Sequence, residues 1–307
     1  MKKIRLIISV VALNLVVSGF IAGNLFAETA LSAADQKLVD SYLVSVDWLK
    51  ANQSKVIIVD TRPVADFEKG HIPGAVNTQW QALSEVSIKQ SQDGWGLIYG
   101  QDKLAELFGK LGIDGSKTVI TYNDPLAGWG EEGRVLWTLR VFGLNNSYAL
   151  NGGLQAWKAS KGEVTKDATK ITPVTLKAPA RNETLFASTS YLASKLGNVQ
   201  LLDVREREEY DGKKNYGEVK NGRIPGAKWY WFHDFYNADG TIKTPAELRA
   251  IFTKLGFDPN KETIAYCTGG IRSGFSTIVL KIAGFTDAKN YNGSFSNWTA
   301  TNQKIEK

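Results

Sequence analysis

Leu111-Gly112-Ile113-Asp114-Gly115-Ser116-Lys117-Thr118-Val119-Ile120 and Leu255-Gly256-Phe257-Asp258-Pro259-Asn260-Lys261-Glu262-Thr263-Ile264 are two versions of one passage, 144 residues apart. Leu, Gly, Asp, Lys and Ile recur in register without a gap. Working outward, Val59-Asp60-Thr61-Arg62 echoes Leu202-Asp203-Val204-Arg205, and Ile72-Pro73-Gly74-Ala75 echoes Ile224-Pro225-Gly226-Ala227. Further on, Asn151-Gly152-Gly153 and Trp157 echo Asn292-Gly293-Ser294 and Trp298. The same elements in the same order, twice, mean two copies of one fold. A chain of 307 residues holds two domains of ordinary size. Between the copies, residues 166–184 carry Pro173, Pro179 and several Lys and Thr with no sustained period, which reads as a linker. The halves are therefore placed at 28–165 and 185–307.

Each half alternates strands and helices. Val56-Ile57-Ile58-Val59 and Leu201-Leu202 are short apolar runs ending in Asp, as buried parallel strands are. Thr244-Pro245-Ala246-Glu247 forms a capping box with proline at the first helical position. Leu248, Ile251, Phe252 and Leu255 follow at helical spacing, and Gly256 ends the helix. Phe275, Ile278, Val279 and Ile282 mark one face of another helix, with Gly284 beyond its end. The pattern is α/β with a mostly parallel sheet in each half.

Residues 1–27 have the pattern of a cleaved export signal: Lys2, Lys3 and Arg5, an apolar run from Leu6 to Phe20, and a small residue, Ala27. The expected location is the periplasm, with no membrane association beyond that segment. Removing it lowers the formal net charge from +6 to +3. So mild a balance, without a basic run interleaved with aromatics, gives no support for nucleic acid.

The composition includes one cysteine, Cys267, and two histidines, His71 and His233. A single cysteine cannot form an internal disulfide, a C-x-x-C redox pair or a cysteine metal cluster. With so few histidines a transition-metal site is not expected. A lone cysteine is ordinarily a small buried hydrophobe, but the surroundings of Cys267 argue for reactivity. Thr263-Ile264-Ala265-Tyr266 reads as a strand running into it, and the next helix is expected near Ser273 or Gly274. Cys267-Thr268-Gly269-Gly270-Ile271-Arg272 is then a tight strand-to-helix loop at the sheet edge where ligands bind. Its glycines allow backbone N–H groups to point inward. Those amides, a helix N-terminus and Arg272 all favour a thiolate. The C-x4-R spacing is one residue shorter than the C-x5-R loop of cysteine-dependent phosphatases, a smaller cradle suited to a single transferred sulfur.

With these residues in view, the sequence resembles the rhodanese family of sulfurtransferases in its tandem-domain form, over essentially the whole chain after the leader. The resemblance rests on the repeated Asp-x-Arg, on Ile-Pro-Gly-Ala, on the six-residue loop opened by Cys267, and on the Gly and Trp near each domain's end. It implies a parallel sheet flanked by helices in each domain and activity in the C-terminal copy. In the N-terminal copy Asn123 stands where Cys267 does, and its loop is three residues longer and acidic, with Glu131 and Glu132. That half is expected to be catalytically silent and to shape the cleft.

The resemblance also implies a Cys267 persulfide, a small sulfur donor, a thiol or cyanide acceptor, and no metal or organic cofactor. Thiosulfate is the expected donor, with 3-mercaptopyruvate as the alternative, and a periplasmic thiol protein is a candidate acceptor. A non-catalytic module binding sulfur species or oxyanions is the more distant reading. Arg205 is expected to reach substrate. His71 and Arg223 read as fold residues, His233 as packing, and Trp229, Tyr230, Trp231 and Phe232 as core or interdomain surface.

Overall fold

Two five-stranded sheets, one in each half, frame the structure. The computed structural model describes residues 31–307; the leader assigned to residues 1–27 lies outside the described residues. The first sheet comprises β1 (Leu43–Val44), β2 (Val56–Asp60), β3 (Ala75–Asn77), β4 (Thr118–Tyr122) and β5 (Ser147–Leu150). The second comprises β6 (Phe186–Ala187), β7 (Gln200–Asp203), β8 (Lys228–Trp229), β9 (Thr263–Tyr266) and β10 (Ala288–Tyr291). Their strand orders are β1-β5-β4-β2-β3 and β6-β10-β9-β7-β8, with every pairing parallel. The duplication seen in the sequence is thus a duplication of topology.

The first half carries helices α1 (Ala33–Asp40), α2 (Val46–Asn52), α3 (Val64–Lys69), α4 (Gln101–Lys110), α5 (Glu131–Phe142) and α6 (Gly153–Ala159). The second carries α7 (Thr189–Lys195), α8 (Arg207–Tyr210), α9 (Pro245–Lys254), α10 (Ile271–Ile282) and α11 (Ser294–Ala300). Helix α9 opens on the capping box read from the sequence, with the Thr244 hydroxyl and the Glu247 carboxylate each accepting from the other's backbone N–H. The segment 166–184 contains no α-helix or strand, only the start of a 3-10 turn at Glu183–Leu185, but it is not free of the first half: Val174 N–H donates to the Gly109 carbonyl at 2.9 Å. Leu176 and Ala178 pack on the core around Phe108 and Phe142.

The two halves meet through α5 and α10, and they do so reciprocally. A Cβ on Gly133 of α5 would stand 2.6 Å from the Phe275 Cα, and one on Gly274 of α10 would stand 3.2 Å from the Arg134 Cα. Small residues at the crossing let two helix backbones approach closely. Asn292 Oδ1 accepts from the Ile98 N–H at 3.0 Å, and its repeat partner Asn151 accepts from the Ile242 N–H at 2.9 Å. Residues expected to serve the fold do so in matched fashion: His71 bridges Thr165, and Arg223 bridges Glu306. A large apolar cluster spans the junction, joining Leu136, Trp137 and Val141 of α5 to Phe275, Ile278 and Val279 of α10.

Candidate active site

Strand β9 is buried along its whole length and delivers Cys267 to the carboxyl edge of the second sheet, between β7 and β10. Helix α10 begins at Ile271, two or three residues earlier than the sequence suggested. The reason is Gly270, whose φ of +85° turns the chain straight into the helix. The free loop is therefore Cys267-Thr268-Gly269-Gly270, while Ile271 and Arg272 belong to the first helical turn. This shortening aims the Gly270 N–H at the Cys267 Sγ, 3.1 Å away. The Ser273 hydroxyl lies 3.5 Å from the same sulfur.

Behind the loop, Ser294 holds the strand end. Its hydroxyl accepts from the Cys267 N–H at 3.1 Å and donates to the Tyr291 carbonyl at 2.9 Å. Ser294 has a φ of +50°, nearly that of its repeat partner Gly153 at +54°. A side chain in this left-handed conformation costs about 1–2 kcal/mol relative to glycine. The second copy thus carries a strained serine where the first relaxes to glycine.

Cys267 is 1% exposed, and burial alone would raise its thiol. The Arg272 charge and hydrogen bonds from Ser273 and the Gly269 amide outweigh burial, so the thiol lies below its ordinary range. Arg272 does not stand free, however. Its Nη1 donates to Glu209 Oε2 at 2.6 Å, and its Nη2 donates to Glu209 Oε1 at 3.0 Å and to the Thr268 hydroxyl at 2.7 Å. Thr268 in turn donates to Glu209 Oε1 at 2.5 Å. Burial pushes the Glu209 carboxyl up, but the Arg272 charge and these hydrogen bonds hold it below its ordinary value. The ion pair locks the loop's outer side to α8 and shares the Arg272 charge with a carboxylate.

Arg205, expected to touch substrate, is placed elsewhere. It is 1% exposed and grips its own neighbour, with Nε and Nη2 on the Asp203 carboxylate at 2.7–3.1 Å and Nη2 on the Gly222 carbonyl at 2.8 Å. Tyr266 also donates to Asp203, at 2.6 Å. The first half repeats this arrangement with Arg62, Asp60 and the Gly70 carbonyl. The motif is a buried strut beneath each sheet edge, and Arg205 is absent from the lining of the Cys267 cavity.

That cavity, of about 330 Å³, has Cys267, Thr268, Gly269, Ile271 and Arg272 on its floor. Its walls combine aromatic rings, Trp80, Trp95 and Trp129 from the first half and Tyr216 from the second, with the polar Gln81, Gln90 and Glu131 of the first half. Trp129 lies on the longer loop that follows Asn123, with its ring 5.1 Å from the Arg272 guanidinium and stacked at 6.2 Å on Phe232. Trp231 meets the same ring edge-on, and His233 Nε2 pairs with the Gly128 carbonyl at 3.1 Å. Trp231, Phe232 and His233 seat the loop of the first half over the site in the second, whereas Trp229 and Tyr230 pack within the second half, on Arg207 and Phe235.

The first half also reaches the site from below. Arg134 of α5 donates from Nη1 to the Gly270 carbonyl at 2.8 Å. Its Nη2 donates to the Gly96 carbonyl at 2.9 Å and to the Ser84 hydroxyl at 3.2 Å. Sequence reasoning singled out none of Arg134, Trp129, Glu209 or Ser294. For Ser294 the repeat itself held the signal, a hydroxyl aligned with a glycine; Trp129 and Arg134 become visible only when the halves are docked, and Glu209 only when α8 folds against the loop of its own half.

A family model for the rhodanese-like domain matches residues 45–160 and 188–301. The chain belongs to the rhodanese family. Among curated relatives, thiosulfate sulfurtransferase of Pseudomonas aeruginosa is 33% identical over 80% of this chain and 88% of its own length. Sulfur carrier protein TtuD of Thermus thermophilus is 30% identical over 83% of this chain and 93% of its own. Among solved structures, wild-type EanB superposes with a TM-score of 0.76 at 22% identity, over 87% of this chain and 69% of EanB. A variant of EanB was solved with ergothioneine linked to a persulfide cysteine, and it superposes equally well, with a TM-score of 0.76 at 22% identity. The two family matches and these likenesses agree with the two parallel-sheet domains described above and place the chain in the tandem-domain form of the family.

Proposed function

We propose that this rhodanese moves sulfane sulfur from thiosulfate to cyanide or a thiol acceptor through a persulfide on Cys267. The observation that carries the reading is the Gly270 N–H poised 3.1 Å from the Cys267 Sγ at the floor of an open cavity. The thiolate attacks the outer sulfur of thiosulfate; the S–S bond of the donor breaks, and sulfite leaves with the electron pair. The product is Cys267–S–S⁻, whose charge the loop amides and the Arg272 environment stabilise. Cyanide then attacks the outer sulfur, thiocyanate departs and the thiolate returns. Two half-reactions through a covalent intermediate give ping-pong kinetics. The relatives named thiosulfate sulfurtransferase support the donor.

One observation favours a second donor, 3-mercaptopyruvate. Arg272 shares its charge with Glu209, and a donor with a single carboxylate asks less of such a site than a dianion does. Location is part of the same proposal: the Lys2-Lys3-Arg5 start and the apolar run behind it support export to the periplasm, where a thiol protein would accept the sulfur. N-terminal sequencing of the protein from a periplasmic fraction tests this, and an intact Met1 start would refute it.

The central experiment is intact-mass spectrometry of the protein incubated with thiosulfate or with mercaptopyruvate, alongside Cys267→Ser. A gain of one sulfur on wild type alone, removed by cyanide, is the expected result, and the faster-loading donor identifies the natural class. No gain with either donor would refute the catalytic reading and leave a module that binds sulfur species or oxyanions.

A further inference from the structure

Four arginines are buried among the described residues: Arg62, Arg134, Arg205 and Arg272. Three have a carboxylate in contact, respectively Asp60, Asp203 and Glu209. Arg134 has none. Its guanidinium is held by two backbone carbonyls and a serine hydroxyl, its Nε has no hydrogen-bond partner, and it lies 5.0 Å from the Trp137 ring. Carbonyls satisfy donors but do not neutralise charge, and a buried unpaired cation is strongly disfavoured.

Burial pulls the Arg134 guanidinium down to about 9, and the charge of Cys267 pulls the other way. The geometry explains the link. Arg134 bonds the Gly270 carbonyl at 2.8 Å, and the N–H of the same residue points at the Cys267 Sγ at 3.1 Å. Asn290 shares the Gly270 carbonyl at 3.1 Å, which fixes that residue from a second side. The space is filled so tightly that a Cβ on Gly270 would fall 2.4 Å from Arg134 Nη1.

We infer that Arg134, contributed by the half that lacks the nucleophile, is the positioning residue whose unpaired charge balances the anion on Cys267 during sulfur transfer. Arg272 divides its charge between Glu209 and Cys267, whereas the Cys267 thiolate or persulfide is the one anion acting on Arg134. The arginine acts through Gly270: it holds the carbonyl outward, keeps the N–H turned inward, and places a positive charge one residue behind the sulfur. The inference rests on the reading of Cys267 as a sulfur-carrying thiolate, but its test needs no sulfur donor.

That test is the pH dependence of Cys267 alkylation by iodoacetamide in wild type, Arg134→Lys and Arg134→Gln. Lysine keeps the charge with fewer donors; glutamine keeps an N–H donor without the charge. The expected result is an apparent thiol pKa near wild type for Arg134→Lys and one raised by about 1 unit or more for Arg134→Gln, the effect of removing a nearby opposite charge. Equal shifts in both variants, or none in either, would make Arg134 a strut and overturn the inference. Should Arg134→Gln fail to fold, the Arg134 side-chain N–H resonance of wild type serves instead. It is expected to move with the thiol titration and to stay still in Cys267→Ser, and a resonance unresponsive in wild type overturns the idea. A protein that alkylates as expected yet takes up no sulfur would refute only the sulfurtransferase reading.

Discussion

Glu132→Gln isolates a charge that the domain interface holds at a cost. Glu132 is 4% exposed at the second position of α5, enclosed by Leu136, Tyr236, Phe275 and Ile278. The Tyr236 hydroxyl donates to its Oε1 at 2.7 Å, while its Oε2 has no partner. Burial raises its carboxyl from 4.5 to about 7; the Tyr236 hydrogen bond opposes this, and the neighbouring Glu131 charge adds to it. A difference of that size between folded and unfolded chain corresponds to about 3 kcal/mol. The sign follows from which state holds the proton more tightly. The folded protein does, so the contribution is fully present below about pH 4.5 and is lost as pH rises through about 7.

Glutamine is neutral at every pH and retains an acceptor for Tyr236. Its extra N–H group lacks a partner, which adds a pH-independent penalty of about 1–3 kcal/mol. Urea unfolding of both proteins between pH 5 and pH 8 separates the two effects. The stability of Glu132→Gln relative to wild type is expected to improve by about 3 kcal/mol across that range, with unchanged m-values. Glu131 titrates in both proteins, so only its repulsion with Glu132 enters the difference. A difference flat in pH would refute the reasoning, because the carboxyl would then titrate alike in folded and unfolded chain.

Two further outcomes follow from the site. Trp129→Ala is expected to raise KM for an aromatic thiol acceptor about tenfold, near 1.4 kcal/mol of lost ring contact, with cyanide capture unchanged; equal effects on both acceptors would refute a role for this wall. Arg205→Ala is expected to lower unfolding stability by about 3–5 kcal/mol, by stranding the Asp203 carboxylate, with KM for thiosulfate preserved in the folded fraction. A raised KM with unchanged urea midpoint would return Arg205 to the substrate.

How much of this was legible in the sequence depended on how far apart in the chain the cooperating residues lie. The Thr244–Glu247 box, the strand into Cys267 and the duplicated Asp-x-Arg are local patterns, and each became the element it predicts. The start of α10 was misplaced because apolar spacing begins at Phe275, whereas the chain turns at Gly270. The expectation that Arg205 reaches substrate came from the resemblance alone; in the structure Asp203, two positions back, and the Gly222 carbonyl already satisfy it. Trp129, Arg134 and Glu209 carry no local signal at all. Trp129 and Arg134 come from the other copy of the fold, and Glu209 precedes Arg272 by 63 residues. The first two contacts come from docking the halves and the third from folding within one half, and periodicity encodes neither.

The duplication also explains why one site results rather than two. Helices α5 and α10 are each twelve residues long and cross each other, so each presents its first turn to the other half's loop. At the fourth position of each stand Arg134 and Gly274. If both were arginine, the 3.2 Å gap between a Gly274 Cβ and the Arg134 Cα shows that the backbones would have to separate. If both were glycine, the Gly270 carbonyl would lose the nearer and charged of its two buried donors, keeping only Asn290. Only an unequal pair lets the helices touch while one of them reaches under the partner's loop. The reach runs from the half with Asn123 toward the half with Cys267, and the longer loop bearing Trp129 runs the same way over the top. With Asn123 where its twin has Cys267, the first half supplies a loop above that twin's site and a helix below it.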